Sequence, residues 1–272
     1  MTAITKFIKE RYMAKLMKIV LWTTGSLVLL GLINFSPLIS LKTVKMKEYS
    51  YEGITVFAEE KDSDNAEVLA KKINDKRNKI VDALGYSEEQ SIGVIIYSNR
   101  KVLHRKTIGF ARVFLPDWYI GKNTKDFVLI TSPSNPGPQH NRESIEKAAI
   151  HEYVHAMTDR KNKMMGYWLK EGFALYLAEQ TPDMAAVWNF SDITYKEYKT
   201  ENPLEFANTG GYYLAYIYMQ YLDNKFGWDK ILGFLDPEKT FEDVLGIKEE
   251  EVFAQWKSEL AKQQAASSHS RM

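Results

Sequence analysis

The sequence predicts an α+β protein with three parts: an N-terminal membrane helix, a small mixed sheet with helices, and a mainly helical C-terminal half. Three observations predict this order. An uncharged apolar segment follows a basic N terminus, short β-branched runs alternate with helical patterns up to residue 140, and helical patterns dominate from residue 141 onward. With 272 residues, of which 45% are hydrophobic, the chain can bury a substantial core in one or two domains.

Residues 1–41 are predicted to form a separate unit. Basic side chains between Lys6 and Lys18 precede a segment without any charge, which runs from Ile19 to Leu41. This segment reaches the roughly 20 residues that a membrane-spanning helix requires. A signal peptide and a buried core helix are the alternatives, but no A-x-A cleavage site precedes Lys42. We therefore favour an uncleaved anchor whose basic flank stays in the cytoplasm, with the rest of the chain outside.

The next hundred residues alternate between strand and helix patterns. Strands are indicated by short runs rich in Val, Ile and Phe, at Gly53–Ala58, Ser91–Tyr97, Ala111–Leu115 and Phe127–Thr131. Helices are indicated at Asp64–Leu84, which Gly85 would end, and at Asn99–Ile108. Residues 132–138 are predicted to form a loop, because they are rich in Pro, Gly and Ser.

The first chemical motif lies on the helix that Asn141 is predicted to cap. It reads His151-Glu152-x-x-His155, and residues four apart share one face of a helix. The two imidazoles can therefore bind one ion, and zinc chemistry requires in addition a carboxylate such as Glu152 to take a proton from water. A surface helix with two unrelated histidines is the alternative.

A second motif supplies the third ligand that catalytic zinc usually has. Glu171 belongs to a predicted helix from Trp168 to Gln180, and fifteen residues separate it from His155. That interval allows the first helix to end, a loop at 160–163 to reverse the chain, and the second helix to return alongside the first.

Together, W-L-x-E-G-F-A and the preceding H-E-x-x-H resemble the gluzincin metallopeptidases, in particular the membrane-alanyl aminopeptidases and the shorter peptidase-MA-like domains of bacteria. The specific part of the resemblance is His151–Ala174. It implies a Zn²⁺ ion held by His151, His155 and Glu171, with Glu152 as the general base, in a domain that covers residues 42–262. In gluzincins an edge strand of a mixed sheet also lies beside the cleft. Residues 112–120 are the candidate for that strand, and a purely structural role for them stays open.

The aminopeptidase branch also uses a tyrosine in a Y-x-x-G/A setting to stabilise the oxyanion. Tyr212 fits that frame, and Tyr213 is the weaker candidate. Asp159, one turn beyond His155, is either a hydrogen-bond partner of a ligand histidine or a capping and surface residue. The G-x-M-E-N segment that anchors a free amine is missing, which favours an endopeptidase, or an enzyme for a narrow extracytoplasmic substrate.

The sequence therefore predicts a membrane-anchored extracytoplasmic zinc metallopeptidase that acts on peptide or protein substrates. The alternative is a non-cleaving, membrane-tethered binding or regulatory protein that retains the zincin fold. A net charge of +1 argues against nucleic acid as the main partner, and the absence of cysteine excludes disulfides and thiolate ligands. A last helix is predicted at Glu249–Ala261, and the tail 263–272 is predicted to be disordered.

Overall fold

A computed structural model of the protein describes residues 3–88, 90–109 and 118–269 of the chain. It confirms the α+β class: a long N-terminal helix is followed by a mixed sheet and a mostly helical C-terminal half. Helix α1 spans Ala3–Ile39. Its part from Lys9 to Ile33 is long and apolar enough to cross a membrane, and none of that part is buried.

Within the described residues, five strands form one mixed sheet in the order β1-β2-β3-β5-β4. Their bounds are β1 Met46–Tyr51, β2 Ile54–Glu59, β3 Gly93–Tyr97, β4 Gly121–Asn123 and β5 Phe127–Thr131. Strands β2, β3 and β5 are parallel, whereas β1 and β4 pair antiparallel at the two edges. The predictions for β2, β3 and β5 are confirmed, β1 was not predicted, and the predicted strand Ala111–Leu115 lies outside the described residues.

Each face of the sheet is covered by helices. Alternate residues of β3 point to opposite faces, as the two-residue period of a strand requires. Val94 and Ile96 pack in the core with helices α2 (Ser63–Ala83) and α4 (Arg142–Lys161), while Ile95 and Tyr97 pack with α3 (Arg100–Ile108) on the other face. All three helices follow their predicted positions. The helix that carries the first motif therefore lies on one face of the sheet, beside β5 and β4.

The C-terminal half is built around α5 (Tyr167–Leu177) and α9 (Gly211–Phe226). Shorter helices surround them: α6 Met184–Asn189, α7 Tyr195–Tyr198, α8 Pro203–Asn208, α10 Trp228–Ile231 and α11 Phe241–Leu245, with 3-10 turns at Glu60–Asp62 and Leu232–Leu235. Helix α12 spans Glu249–His269, so the prediction of disorder from residue 263 is wrong for the described part of the tail. Alanines and glutamines favour a helix there, and the Gln264 side chain accepts a hydrogen bond of 3.0 Å from Ser191.

A glycine sets the distance between α5 and α9. A Cβ atom at Gly172 would lie 3.1 Å from Cε of Met219 and 3.2 Å from the backbone oxygen of Ala215, both on α9. The two helices therefore pack so closely that a side chain at position 172 would force its neighbours to shift. Because Glu171 is the preceding residue, this close packing also fixes the position of its carboxylate.

Gly172→Ala is expected to destabilise the domain, because forcing one methyl into a packed core typically costs ~1–3 kcal/mol. For a domain of this size each kcal/mol lowers the midpoint of thermal unfolding by about 2–4 °C. The measurement is thermal unfolding of the full chain in detergent. The control is Gly166→Ala, where the new Cβ atom would have its nearest neighbour 3.7 Å away, at Oε1 of Glu201. Equal midpoints for the two variants would contradict close packing at Gly172.

Candidate metal centre

Helix α4 presents two imidazoles on one face. The helix begins with a capping box in which the Asn141 side chain accepts from the Ser144 N–H, and the Ser144 hydroxyl accepts from the Asn141 N–H. Ten residues further on, the rings of His151 and His155 lie with their centroids 4.5 Å apart and nearly perpendicular. The spacing of four residues therefore brings the two rings together, as the sequence predicts.

Helix α5 places Glu171 against both rings. One carboxylate oxygen lies 3.3 Å from Nε2 of His151, and the other lies 3.5 Å from Nε2 of His155. The potential ligand atoms of the three residues all lie within 4.8 Å of one another. Two atoms that bind one tetrahedral ion from about 2.0–2.2 Å lie roughly 3.3–3.6 Å apart. The cluster of His151, His155 and Glu171, hereafter the metal centre, therefore has the dimensions to hold a metal ion.

The charge of the metal centre is buried. Glu171 is only 5% exposed. Burial by itself raises the pKa of its carboxyl, but the interactions with His155 and His151 outweigh burial and bring this pKa well below its usual range. Nδ1 of each histidine is buried and has no hydrogen-bond partner in the described part of the chain. An anionic carboxylate that faces two imidazole nitrogens is a donor set that suits a divalent transition-metal ion.

Glu152 points from the same helix toward the edge of the sheet. Glu152 lines the cleft and is partly exposed. The burial of its carboxyl raises the pKa of Glu152 to about 7; the nearby His151 lowers this pKa, and the charge of Glu171 raises it. Gly121 of β4 allows a close approach, because a Cβ atom there would lie 3.0 Å from Cγ and Oε1 of Glu152. Strand β4 therefore lies directly against the predicted general base.

Tyr212 lies at the start of α9, where the chain turns through Gly210 with φ of 74°. A side chain at Gly210 would collide with Phe190, and one at Gly211 would collide with Phe206. The Tyr212 ring packs edge-on against Phe206 at 4.9 Å, and burial together with the charge of Glu171 raises its pKa. Its hydroxyl therefore stays protonated and lies near the metal centre.

Sequence reasoning missed a second tyrosine in the same place. The hydroxyl of Tyr167 interacts with the Tyr212 hydroxyl and the Glu171 carboxylate, and burial together with these neighbours raises its pKa. The Tyr167 ring packs edge-on at 4.9 Å against Phe206, which also supports Tyr212. The only sequence signal is its position at i−4 from Glu171 on one helix face. Tyr167 can therefore orient both the third ligand and Tyr212.

Asp159 does not have the predicted contact with a ligand histidine. Its carboxylate accepts a hydrogen bond of 2.8 Å from the Asn123 side chain, and its other oxygen lies 3.4 Å from the Lys170 ammonium. These contacts join α4 to β4 and to α5, which differs from both predicted roles: the side chain neither contacts a ligand histidine nor acts as an exposed or capping residue.

The metal centre opens into a cleft of about 1020 Å³. The walls of the cleft include β4, residues 118–120 just before it, and the start of α9. Among the lining residues are Trp118, Gly121, Asn123, Lys170 and Tyr213. His140 and His104, which lie outside the metal centre, hydrogen-bond the backbone oxygens of Trp118 and Tyr119 at 3.1 and 2.8 Å. The edge strand beside the cleft is β4. It begins immediately after residues 112–120, which the sequence analysis gives as the candidate for this strand. Residues 112–117 of that candidate lie outside the described residues.

A scan of protein-family models found none that matches this chain, and a search of curated proteins found no significantly similar sequence. The resemblance to gluzincins therefore stays a prediction that rests on the two motifs.

Replacing a ligand of the metal centre is expected to lower metal affinity by more than about 100-fold. The reason is that losing a residue that only hydrogen-bonds a ligand already costs roughly 10–100-fold. The variants are His155→Ala and Glu171→Ala in the full chain, and affinity for Zn²⁺ is measured by competition with a chromogenic chelator. The control is His140→Ala, which removes an imidazole at the rim of the same cleft. Unchanged affinity in the two ligand variants would show that the ion binds elsewhere.

Proposed function

We propose that this protein is a zinc-dependent endopeptidase held on the membrane by α1, with its cleft on the extracytoplasmic side. The observation that carries the proposal is the metal centre itself: two imidazoles and one carboxylate with the spacing of ligands around a tetrahedral ion, at the bottom of an open cleft. Three protein ligands leave a fourth position for water or substrate, which distinguishes catalytic from structural zinc sites.

Zinc suits this donor set, because imidazole nitrogen and carboxylate oxygen are common ligands of zinc in catalytic sites. A bound zinc ion supplies Lewis-acid chemistry, in that it polarises a carbonyl group and makes water more acidic. Glu152 lies next to His151 in sequence and faces the cleft beside β4. In this proposal its carboxylate takes the proton from the attacking water and later passes it to the leaving amine.

Tyr212 is the proposed donor to the oxyanion that forms when water attacks the peptide carbonyl. Its raised pKa keeps the hydroxyl proton available at neutral pH, and the rigid turn at Gly210 fixes where the ring begins. Tyr167 is proposed to position this hydroxyl through their mutual contact.

Strand β4 is the proposed binding edge for the substrate backbone. Among the described residues it is the last strand on its side of the sheet, and it lies against Glu152. An extended peptide can add to such an edge through backbone hydrogen bonds, which recognise the main chain rather than one sequence. This mode leaves both ends of the peptide free and agrees with endopeptidase action.

Helix α1 is the proposed anchor. None of the residues in its apolar part, Lys9–Ile33, is buried in the domain. A bilayer would bury this part, and the basic residues before Ile19 would keep the N terminus in the cytoplasm.

Glu152→Gln is expected to lower turnover by roughly 10²–10⁴-fold and to leave zinc content unchanged, because it removes a proton acceptor but no ligand. Cleavage of a mixed peptide library by the full chain is followed by mass spectrometry, with and without a chelator, which is expected to abolish activity reversibly. Glu143→Gln, at the exposed start of the same helix, is the control. Peptide binding without cleavage by the zinc-loaded chain would instead support a non-cleaving binding protein.

Tyr212→Phe is expected to reduce kcat by about 10²–10³-fold, the effect of losing one oxyanion donor. Tyr213→Phe is the matched control, because Tyr213 is its neighbour but is 40% exposed and stacks on Phe190. The measurement is steady-state kinetics on one peptide that the library identifies. If kcat falls in Tyr167→Phe and stays unchanged in Tyr212→Phe, the oxyanion donor is Tyr167 and the assignment of Tyr212 is contradicted.

A further inference from the structure

The segment that directly follows α1, residues 40–42, is hydrogen-bonded to the domain. The Tyr97 hydroxyl donates a hydrogen bond of 2.8 Å to the backbone oxygen of Leu41, and the Lys106 ammonium donates to the backbone oxygens of Ser40 and Lys42. Strand β1 begins only four residues after Lys42, at Met46. The described structure therefore joins the end of α1 to the sheet through a short, hydrogen-bonded segment.

The side of the domain next to the end of α1 is the one that carries α3. Leu41 and Met46 pack against the same apolar cluster as Val102 of α3, on the face of the sheet opposite to α2 and α4. Arg160, near the far end of α4, instead hydrogen-bonds the backbone oxygen of Ser91 at the opposite end of the parallel strands. A membrane around α1 would therefore meet the α3 side of the domain first.

The chemistry of that side fits a lipid headgroup layer. In the turn before β1, the Val44 side chain is fully exposed and lies between two exposed lysines, Lys42 and Lys45. On α3, Lys101 and Arg105 are exposed one turn apart, and the sequence of α3 contains no acidic residue. An apolar tip between cations matches the boundary between acyl chains and headgroups, and basic residues near an anionic leaflet strengthen membrane binding.

We propose that Lys42, Val44, Lys45, Lys101 and Arg105, the membrane-proximal face, lie on anionic phospholipid headgroups of the outer leaflet. The proposal rests on α1 spanning the membrane, as in the proposed function, and does not depend on catalysis. The short connection and this contact together would keep the α3 side of the domain against the membrane surface.

Site-specific labelling tests the contact directly, because the chain contains no cysteine. A fluorophore is attached to Val44→Cys, Met164→Cys or Leu27→Cys in the full chain, reconstituted in nanodiscs of anionic or zwitterionic phospholipid. Met164 is the control for an exposed site away from the membrane, since it is 86% exposed and follows the far end of α4. Leu27, in the middle of the apolar part of α1, reports on insertion.

Lipids with a nitroxide on the headgroup are expected to quench the label at position 44 several-fold more strongly than the label at position 164. Adding Lys101→Glu and Arg105→Glu is expected to weaken quenching at position 44 in anionic nanodiscs and to change it little in zwitterionic ones. The matched control, Lys163→Glu with Lys262→Glu, reverses two exposed charges elsewhere and is expected to leave quenching unchanged.

Equal quenching at positions 44 and 164, while acyl-chain nitroxides quench the label at position 27, would overturn the membrane-proximal face and leave the anchor intact. An unquenched label at position 27 would overturn both the face and the anchor. Peptide cleavage by the same samples reports separately on catalysis, so the failure of one proposal is distinguishable from the failure of the other.

Discussion

The contact between Glu171 and the two imidazoles is the constraint on which the cleft depends. A buried carboxylate is strongly destabilising unless positive charge or donors face it, and here both nearest groups are imidazole nitrogens of a different helix. Helix α5 therefore cannot rotate or slide without separating this buried carboxylate from its imidazole partners. Gly172 contributes from the other side, because it lets α9 approach α5 closely enough to hold that orientation.

Several residues of the cleft have positions that follow from this contact. Tyr167 lies one helical turn before Glu171, so fixing the carboxylate also fixes that hydroxyl, and Phe206 supports the rings of both Tyr167 and Tyr212. On the opposite wall, Gly121 allows β4 to approach Glu152. The metal centre is thus assembled from α4 and α5 alone, and α4 also carries Glu152, the proposed proton acceptor. Strand β4 and the start of α9 supply other walls of the cleft.

Local sequence signals predict the parts that depend on local physics. The Asn141 cap follows from its side chain, the helix from Ser63 to Ala83 from its apolar spacing, and the strand from Phe127 to Thr131 from its run of apolar residues. The predicted cap at Asp64 is wrong, because the helix begins at Ser63 without a side-chain cap. The sequence does not predict strand β1, because its side chains are mostly polar and none of them is fully buried at this edge of the sheet. The roles of Tyr167 and Gly121 could not be predicted, since each depends on a partner that only the tertiary fold brings near.

Anomalous scattering at the zinc edge, from crystals of the zinc-loaded chain, tests the central claim most directly. The account predicts one strong peak about 2.0–2.2 Å from Nε2 of His151, Nε2 of His155 and a carboxylate oxygen of Glu171, which are the distances of zinc to such ligands. A peak bound by other residues, or a Glu171 carboxylate turned away from both imidazoles in the presence of zinc, would contradict it.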